Sequence, residues 1–81
     1  MEFKVQLLSY FDKYLPKDNV GDTFSIRSDK PMTPADIFKQ LNVTDDITNI
    51  CLVCVNGTVV SHSHMLADGD FIAVIPMHYG G

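Results

Sequence analysis

Residues 50–60 of this 81-residue chain read ICLVCVNGTVV, and this segment decides the fold. Its first part, residues 50–55, is a continuous apolar run, typical of a strand that is buried on both faces and lies inside its sheet. Asn56 and Gly57 form the strongest short signal for a hairpin, a two-residue type I′ turn in which both residues take positive φ. The three residues after the turn are therefore predicted to pair antiparallel with residues 53–55.

Two further strands precede this hairpin along the chain. Residues 2–8 alternate between apolar and polar side chains, which predicts a strand with Phe3, Val5 and Leu7 facing inward. Residues 22–27 alternate in the same way and follow a cluster of turn-forming residues. The two strands are therefore expected to form an antiparallel pair.

A single helix is predicted between the second strand and the hairpin. Thr33 is placed as its N-cap, Pro34 as its first residue, and Asp36 as the acid of a capping box. Ile37, Phe38 and Leu41 give the helix an apolar face. Asn42 and the polar cluster at residues 44–46 end it. A helix this short needs a sheet to pack against.

Residues 68–70 form another turn, which leads into a last apolar strand at residues 71–75, closed by Pro76. The order strand, strand, helix, strand, short strand, strand predicts an α+β fold of the β-grasp type, a mixed sheet of four to five strands packed on one main helix. The first and last strands are expected to lie side by side in parallel. The predicted domain covers residues 1–75, and residues 76–81 form a free, flexible tail.

The composition is that of an ordinary soluble globular domain, with 46% apolar and 20% charged residues. The net charge is −4, and all six basic residues precede position 40. The acidic second half argues against nucleic acid and fits docking on a basic protein surface, although Asp68 and Asp70 could equally be turn residues. With no basic leader and no apolar stretch approaching about 18 residues, we expect a cytoplasmic protein without a membrane partner.

The sequence ends in Gly80-Gly81. A glycine pair presents a terminal carboxylate with no side chain beside it, so another protein's active site can close around the backbone. This favours an end that is activated chemically. The alternative is a disordered end or a cloning remnant.

Several short motifs resemble the MoaD/ThiS family of small sulfur-carrier proteins, which share the ubiquitin fold. The motifs are Val-Asn-Gly at 55–57, Leu-Ala-Asp-Gly-Asp at 66–70 and Val-Ile-Pro at 74–76, five residues before Gly81. The length and the N-terminal part look more like the molybdopterin branch, MoaD, than like the shorter thiazole-type carriers. A likeness of the segment around residues 14–24 to a fused ubiquitin-like domain leaves the subfamily open.

The resemblance implies a carrier rather than an enzyme, and it implies a monomer when free. A partner of the ubiquitin-activating type would use ATP and Mg²⁺ to adenylate the Gly81 carboxylate, with Gly80 beside it, and a persulfide sulfur would displace AMP to leave a thiocarboxylate. The carrier itself binds no cofactor. A sulfur-accepting synthase subunit would then take the sulfur, most simply for molybdopterin. The alternatives are a thiazole or other thio-cofactor pathway, a ubiquitin-like modifier conjugated through Gly81, and a plain interaction domain.

Partner docking is expected on the sheet face away from the helix and along the tail. The candidates are seven residues: Leu8, Leu66, Ile75, Pro76, Met77, His78 and Tyr79. For Leu8 and Ile75 the alternative is packing in the core. Tyr79 departs from the family pattern, in which the residue before the diglycine is small, and Met77 stands where the molybdopterin branch often has a second proline.

Cys51 and Cys54 have the spacing of a zinc or redox pair, but they fall inside a predicted strand. An offset of three residues places their side chains on opposite faces, so they are interpreted as two separate reduced thiols. His62 and His64 could join Cys51 on one face of an extended hairpin. No fourth ligand is near in the sequence, and we predict no metal.

Overall fold

The structure is a computed structural model, and it describes residues 1–8, 13–19 and 21–77. Within these ranges the chain forms five strands and two helices. In chain order they are β1 (Glu2–Leu7), β2 (Thr23–Arg27), α1 (Pro34–Gln40), α2 (Asp45–Thr48), β3 (Cys51–Val55), β4 (Thr58–Val60) and β5 (Phe71–Pro76). Among the described residues, no helix is both long and apolar enough to span a membrane.

The strands form one mixed sheet in the order β2-β1-β5-β3-β4. β1 pairs antiparallel with β2 and parallel with β5, as the sequence predicts. β5 also pairs antiparallel with β3, so the last strand of the chain occupies the centre of the sheet. A ubiquitin-like β-grasp fold is thereby confirmed.

The predicted hairpin between β3 and β4 is confirmed in its turn type and its register. Asn56 and Gly57 have φ angles of 52° and 88°, the left-handed values that a type I′ turn requires. Val55 lies opposite Thr58 and Val53 opposite Val60. Asparagine and glycine tolerate this backbone conformation better than other residues, so the dipeptide fixes the pairing.

Helix α1 begins with the predicted capping box. The Asp36 amide donates to Thr33 Oγ1 at 3.3 Å, and the Thr33 amide donates to Asp36 Oδ2 at 3.0 Å. Pro34 occupies the first turn, where its missing N–H costs nothing. Loss of such a cap costs about 1 kcal/mol.

The segment after α1 differs from the prediction. Asn42 follows the end of α1, as expected, and has a φ of 60°. The polar cluster at residues 44–46 was predicted only to end α1, but it begins a second short helix, α2. Thr44 is the N-cap of α2. The two acidic residues in the first turn of α2 interact favourably with the positive end of the helix dipole. Ile47 from α2 packs against the core.

The core lies between one face of the sheet and α1. Phe3, Val5, Val53, Ile72 and Val74 on the sheet are at most 1% exposed. They pack in one cluster with the helix side chains Ile37 and Phe38. Each such burial stabilises the fold by about 1.5–3 kcal/mol. The inward alternation predicted for β1 is confirmed, since Phe3, Val5 and Leu7 are all buried in this core.

One prediction about β3 is wrong. Its continuous apolar run predicts burial on both faces, yet Leu52 is 37% exposed and Cys54 is only half-buried. β3 is interior to the sheet, but only its inward side chains, at positions 51, 53 and 55, are buried. The hydrophobic pattern of a sequence shows how apolar each face of a strand is. It does not show whether a second layer of structure covers each face.

Candidate functional site

The chain leaves the sheet at a defined place, which we call the tail root. β5 continues through Pro76, one residue beyond the predicted strand, and the Met77 amide donates to the carbonyl of Ile50 at 2.8 Å. The predicted residues His78, Tyr79, Gly80 and Gly81 lie outside the described residues, so their roles stay predictions.

The sheet surface opposite α1 is called the open face, and it has two halves of different chemistry. On β3, β4 and β5 its outward side chains are apolar, and this apolar half consists of Leu52, Cys54, Val59, Phe71, Ala73 and Ile75. Leu52 lies opposite Ile75, and Cys54 lies between Ala73 and Val59. Val59 is 59% exposed. The apolar half therefore forms a continuous cross-strand patch.

The other half of the open face lies on β1 and β2 and is polar. Its outward side chains are Glu2, Lys4, Gln6, Thr23, Ser25 and Arg27. Arg27 Nε and Glu2 Oε1 form an ion pair at 3.0 Å across the two strands. Lys4 lies opposite Phe71, where the polar half meets the apolar half.

The predicted docking residues that the structure describes lie in different environments. Leu8 and Ile75 are half-buried, outside the core cluster, and on the open face, next to the tail root. Met77 is half-buried at the tail root, and Pro76 is buried at the end of β5.

Leu66 does not belong to the docking surface. Only 2% of it is exposed, it belongs to the core cluster, and its amide donates to the Met32 carbonyl at 2.9 Å. Sequence position alone could not show this, because Leu66 lies in a loop that folds back under the sheet instead of in a strand with a readable alternation. Its place in the motif is explained by core packing.

The prediction missed Leu52, Val59 and Phe71, which are among the more exposed large apolar side chains. The sequence contains a signal that could have found them. If Ile72, Val74 and Val53 face the core, the alternation of side chains along β5 and the hairpin places Phe71, Leu52 and Val59 on the outer face. The prediction that β3 is buried on both faces hid this signal.

The motifs at residues 55–57 and 66–70 are structural. Asn56 donates from Nδ2 to Asp70 Oδ1 at 2.9 Å and accepts the Phe71 amide on Oδ1 at 3.0 Å. Asp70 Oδ2 accepts the Ala67 amide at 2.8 Å, and Asp68 Oδ1 accepts the Glu2 amide at 2.6 Å. These bonds tie the start of β5 to the hairpin and to β1. Both acids therefore act as turn residues, the alternative raised by the sequence.

The two cysteines are free and lie on opposite faces of β3, as predicted. Cys51 is buried on the core side, its Sγ donates to the Ile47 carbonyl at 2.9 Å, and burial raises the pKa of its thiol. Less thiolate at a given pH makes it a poor nucleophile. Cys54 lies in the apolar half of the open face.

His62 and His64 lie in different surroundings. Nε2 of His62 lies 3.1 Å from the Cys51 carbonyl oxygen, and its ring packs edge-on against Phe38. His64 is exposed. In the part of the chain that the structure describes, no three His, Cys, Asp or Glu side chains come close enough to hold a metal ion.

Several solved structures share this fold over at least 95% of both chains. SAMP1 from Haloferax volcanii matches with a TM-score of 0.74 and 20% identity over 100% of both chains. A putative molybdopterin converting factor subunit 1 from Pyrococcus furiosus matches with a TM-score of 0.70 and 19% identity over 95% of this chain and 98% of that one. A complex of subunits 1 and 2 of the molybdopterin-converting factor from Helicobacter pylori contributes a chain with a TM-score of 0.64, 18% identity and full coverage of both.

Among curated proteins none matches this sequence. The model of the ThiS family, however, matches residues 8–81, which include the hairpin, the motif before β5 and the terminal glycines. Fold, motifs and family model agree, and the chain belongs to the ThiS family of small, non-catalytic sulfur-carrier proteins of the MoaD/ThiS type.

Proposed function

We propose that this chain carries sulfur on its C-terminal carboxylate for cofactor biosynthesis, with molybdopterin as the cofactor. The observation that carries the proposal is the position of the tail root: β5 brings the chain to Met77 beside the apolar half of the open face. Four residues follow Met77, the last of them Gly81, and they span at most about 14 Å. A partner that covers the apolar half can therefore reach the terminal carboxylate.

The chemistry follows from the weak reactivity of a carboxylate. In an adenylating partner, a Gly81 oxygen attacks the α-phosphorus of Mg²⁺-bound ATP and pyrophosphate leaves. A persulfide sulfur then attacks the acyl carbon and AMP leaves. The acyl disulfide formed in this way is cleaved by a thiol, which leaves the thiocarboxylate. Glycines at 80 and 81 offer no Cβ to obstruct attack on the acyl carbon.

The apolar half of the open face is the proposed docking surface for the adenylating enzyme. Exposed apolar side chains in one contiguous patch are the usual mark of a protein interface. Ile75 and Leu52 form its row closest to the tail root, and Leu8 adjoins them. A sulfur-accepting synthase subunit would receive the same tail after activation. The Helicobacter structure, a complex of two converting-factor subunits, supports a partner of this kind.

The choice of pathway rests on the names of structural relatives. Two of them are described as molybdopterin converting factor subunits, with TM-scores of 0.70 and 0.64. A thiamine biosynthesis protein ThiS from Geobacter metallireducens, with a TM-score of 0.62, supports thiamine biosynthesis as the alternative pathway. A second function, conjugation to other proteins through Gly81, is supported by the likeness to the small archaeal modifier protein 1 of Haloferax volcanii.

The test is an intact-mass measurement after incubation with the cognate adenylating enzyme, ATP, Mg²⁺ and a sulfur donor. We expect a mass increase equal to the exchange of one oxygen for sulfur, located at Gly81 by fragmentation. Gly81→Ala should reduce kcat/KM by about 100-fold, because a methyl group displaces the reacting carbon, and it should leave the thermal midpoint unchanged.

The controls separate the candidate functions. Deletion of Gly80 and Gly81 should abolish the mass increase. Adding the acceptor subunit and the molybdopterin precursor should return the mass to its starting value. Conjugates linked to lysine would favour the modifier function, and an unchanged wild-type mass, with an enzyme that activates its own known carrier, would contradict both.

A further inference from the structure

His62 has no part in the proposed chemistry, yet its side chain is held in place. The ring is half-buried and packs against Phe38 with a centroid distance of 5.3 Å and an interplanar angle of 63°. Nε2 lies 3.1 Å from the Cys51 carbonyl oxygen. A carbonyl oxygen only accepts, so Nε2 carries the hydrogen and donates, which both the neutral Nε2–H form and the cation allow.

The Cys51 carbonyl lies where the hydrogen-bonded ladder between β3 and β4 ends. The Ile50 carbonyl, one residue earlier, points to β5 and accepts the Met77 amide, so the Cys51 carbonyl points to the other side, toward β4. On that side, continuing the register of Val53 with Val60 by two residues places residue 62 opposite Cys51. β4 has already ended at Val60. The His62 ring thus replaces a backbone donor at the place where the ladder stops.

The backbone of His62 forms a hydrogen bond to helix α1. Its carbonyl accepts the Ala35 amide of α1 at 3.0 Å. His62 therefore joins the first turn of α1, through its backbone, to the first residue of β3, through its ring. Its neighbour two residues on, His64, is exposed.

The residues next to Cys51 hold the tail root. The Ile50 carbonyl accepts the Met77 amide at 2.8 Å, and Cys51 Sγ donates to the Ile47 carbonyl at 2.9 Å. Met77 is the last described residue, and residues 78–81 follow it in the sequence. Any displacement of residues 50 and 51 changes the direction in which the chain leaves the sheet.

We propose that His62 is a positioning residue: by donating to the Cys51 carbonyl, it fixes the strand end that holds Met77, and with it the presentation of Gly81 to the activating enzyme. The second half of this inference rests on the proposed function. The first half concerns the free protein and is tested without any partner.

The first experiment measures amide hydrogen exchange in the free protein. His62→Ala should accelerate exchange at Met77 by about tenfold or more relative to the core amides of Val53 and Val74, because the tail root opens locally. His62→Gln retains an amide donor at the same reach and should restore protection. His64→Ala is the matched control and should change nothing. Equal acceleration at Met77 and at both core amides in His62→Ala would overturn the proposal, because it would show only a general loss of stability.

The second experiment measures activation of the same three variants. His62→Ala should lower kcat of thiocarboxylate formation by about tenfold with a nearly unchanged KM, since the docking surface is intact. His62→Gln should recover most of it. Unchanged kcat in His62→Ala, with Met77 exchange accelerated, would overturn the link to activation. Failure of the wild type to be activated would instead refute the proposed function, while the exchange experiment still decides the role of His62 at the tail root.

Discussion

The two halves of the open face share one sheet and differ only in their outward side chains. Across β1 and β2 these are polar or charged, and a cross-strand ion pair is formed between Glu2 and Arg27. Across β3, β4 and β5 they are apolar, and Leu52, Val59 and Phe71 remain substantially exposed. Folding alone does not require this second pattern, because polar residues would serve equally well there. The difference supports the proposal that the partner docks on the half that adjoins the tail root.

The largest effect is expected from introducing the same charge into each half. Leu52→Asp should lower kcat/KM of Gly81 activation by about 100-fold, since it removes an apolar contact and places a carboxylate in an interface. Ser25→Asp on the polar half should change kcat/KM by less than about threefold. Steady-state kinetics with the adenylating enzyme measure both.

Urea unfolding of both variants serves as the control. Both positions are exposed and face away from the core, so the midpoints should remain close to that of the wild type. Equal loss of activity in the two variants would contradict the assignment of docking to the apolar half.

A second test uses the two cysteines as reporters of the two sheet faces. A thiol reagent should modify Cys54 in the folded protein and spare Cys51, whose burial raises its pKa and so lowers its thiolate fraction at any given pH. A partner present at ten times its Kd should slow the Cys54 reaction by about tenfold. Tandem mass spectrometry assigns the modified residue.

Unfolding in urea should make both cysteines reactive, which confirms that the protection of Cys51 comes from the fold. If saturating partner left the Cys54 rate unchanged, the partner would have to dock elsewhere than on the apolar half.

The smallest effect is expected from the ion pair of the polar half. Glu2→Gln should change the free energy of unfolding by less than about 0.5 kcal/mol, because the Arg27 and Glu2 side chains are 86% and 44% exposed and water screens their attraction. Chemical denaturation at low and high salt measures this. A loss above about 1 kcal/mol would show that the polar half has a structural role that its exposure does not suggest.

Much of the fold was predictable because local chemistry and global topology agree. Asn56-Gly57 admits one tight turn, and that turn fixes the register of β3 with β4. Thr33, Pro34 and Asp36 fix the start of α1 by capping its free amides. The parallel pairing of β1 with β5 follows from joining two hairpins into one sheet around a single helix.

The errors arose where side-chain environment depends on distant parts of the chain. Leu66 was assigned to docking but is buried, because the loop that carries it folds under the sheet and bonds to Met32. Helix α2 was missed because four residues give too little periodicity to detect. The contact of His62 with Cys51 was foreseen only as a possible metal cluster, and its actual partner is a carbonyl oxygen.

The amino-acid sequence by itself determined the family, the order of the five strands and of α1, the hairpin register and the helix cap, because each depends on neighbouring residues or on a short motif. Only the tertiary structure decided which apolar residues remain in solvent. A strand with apolar side chains on both faces has the same sequence pattern whether other elements cover one of its faces or both. The apolar half exists because the helices pack on the other face of the sheet, and that arrangement is a property of the whole chain.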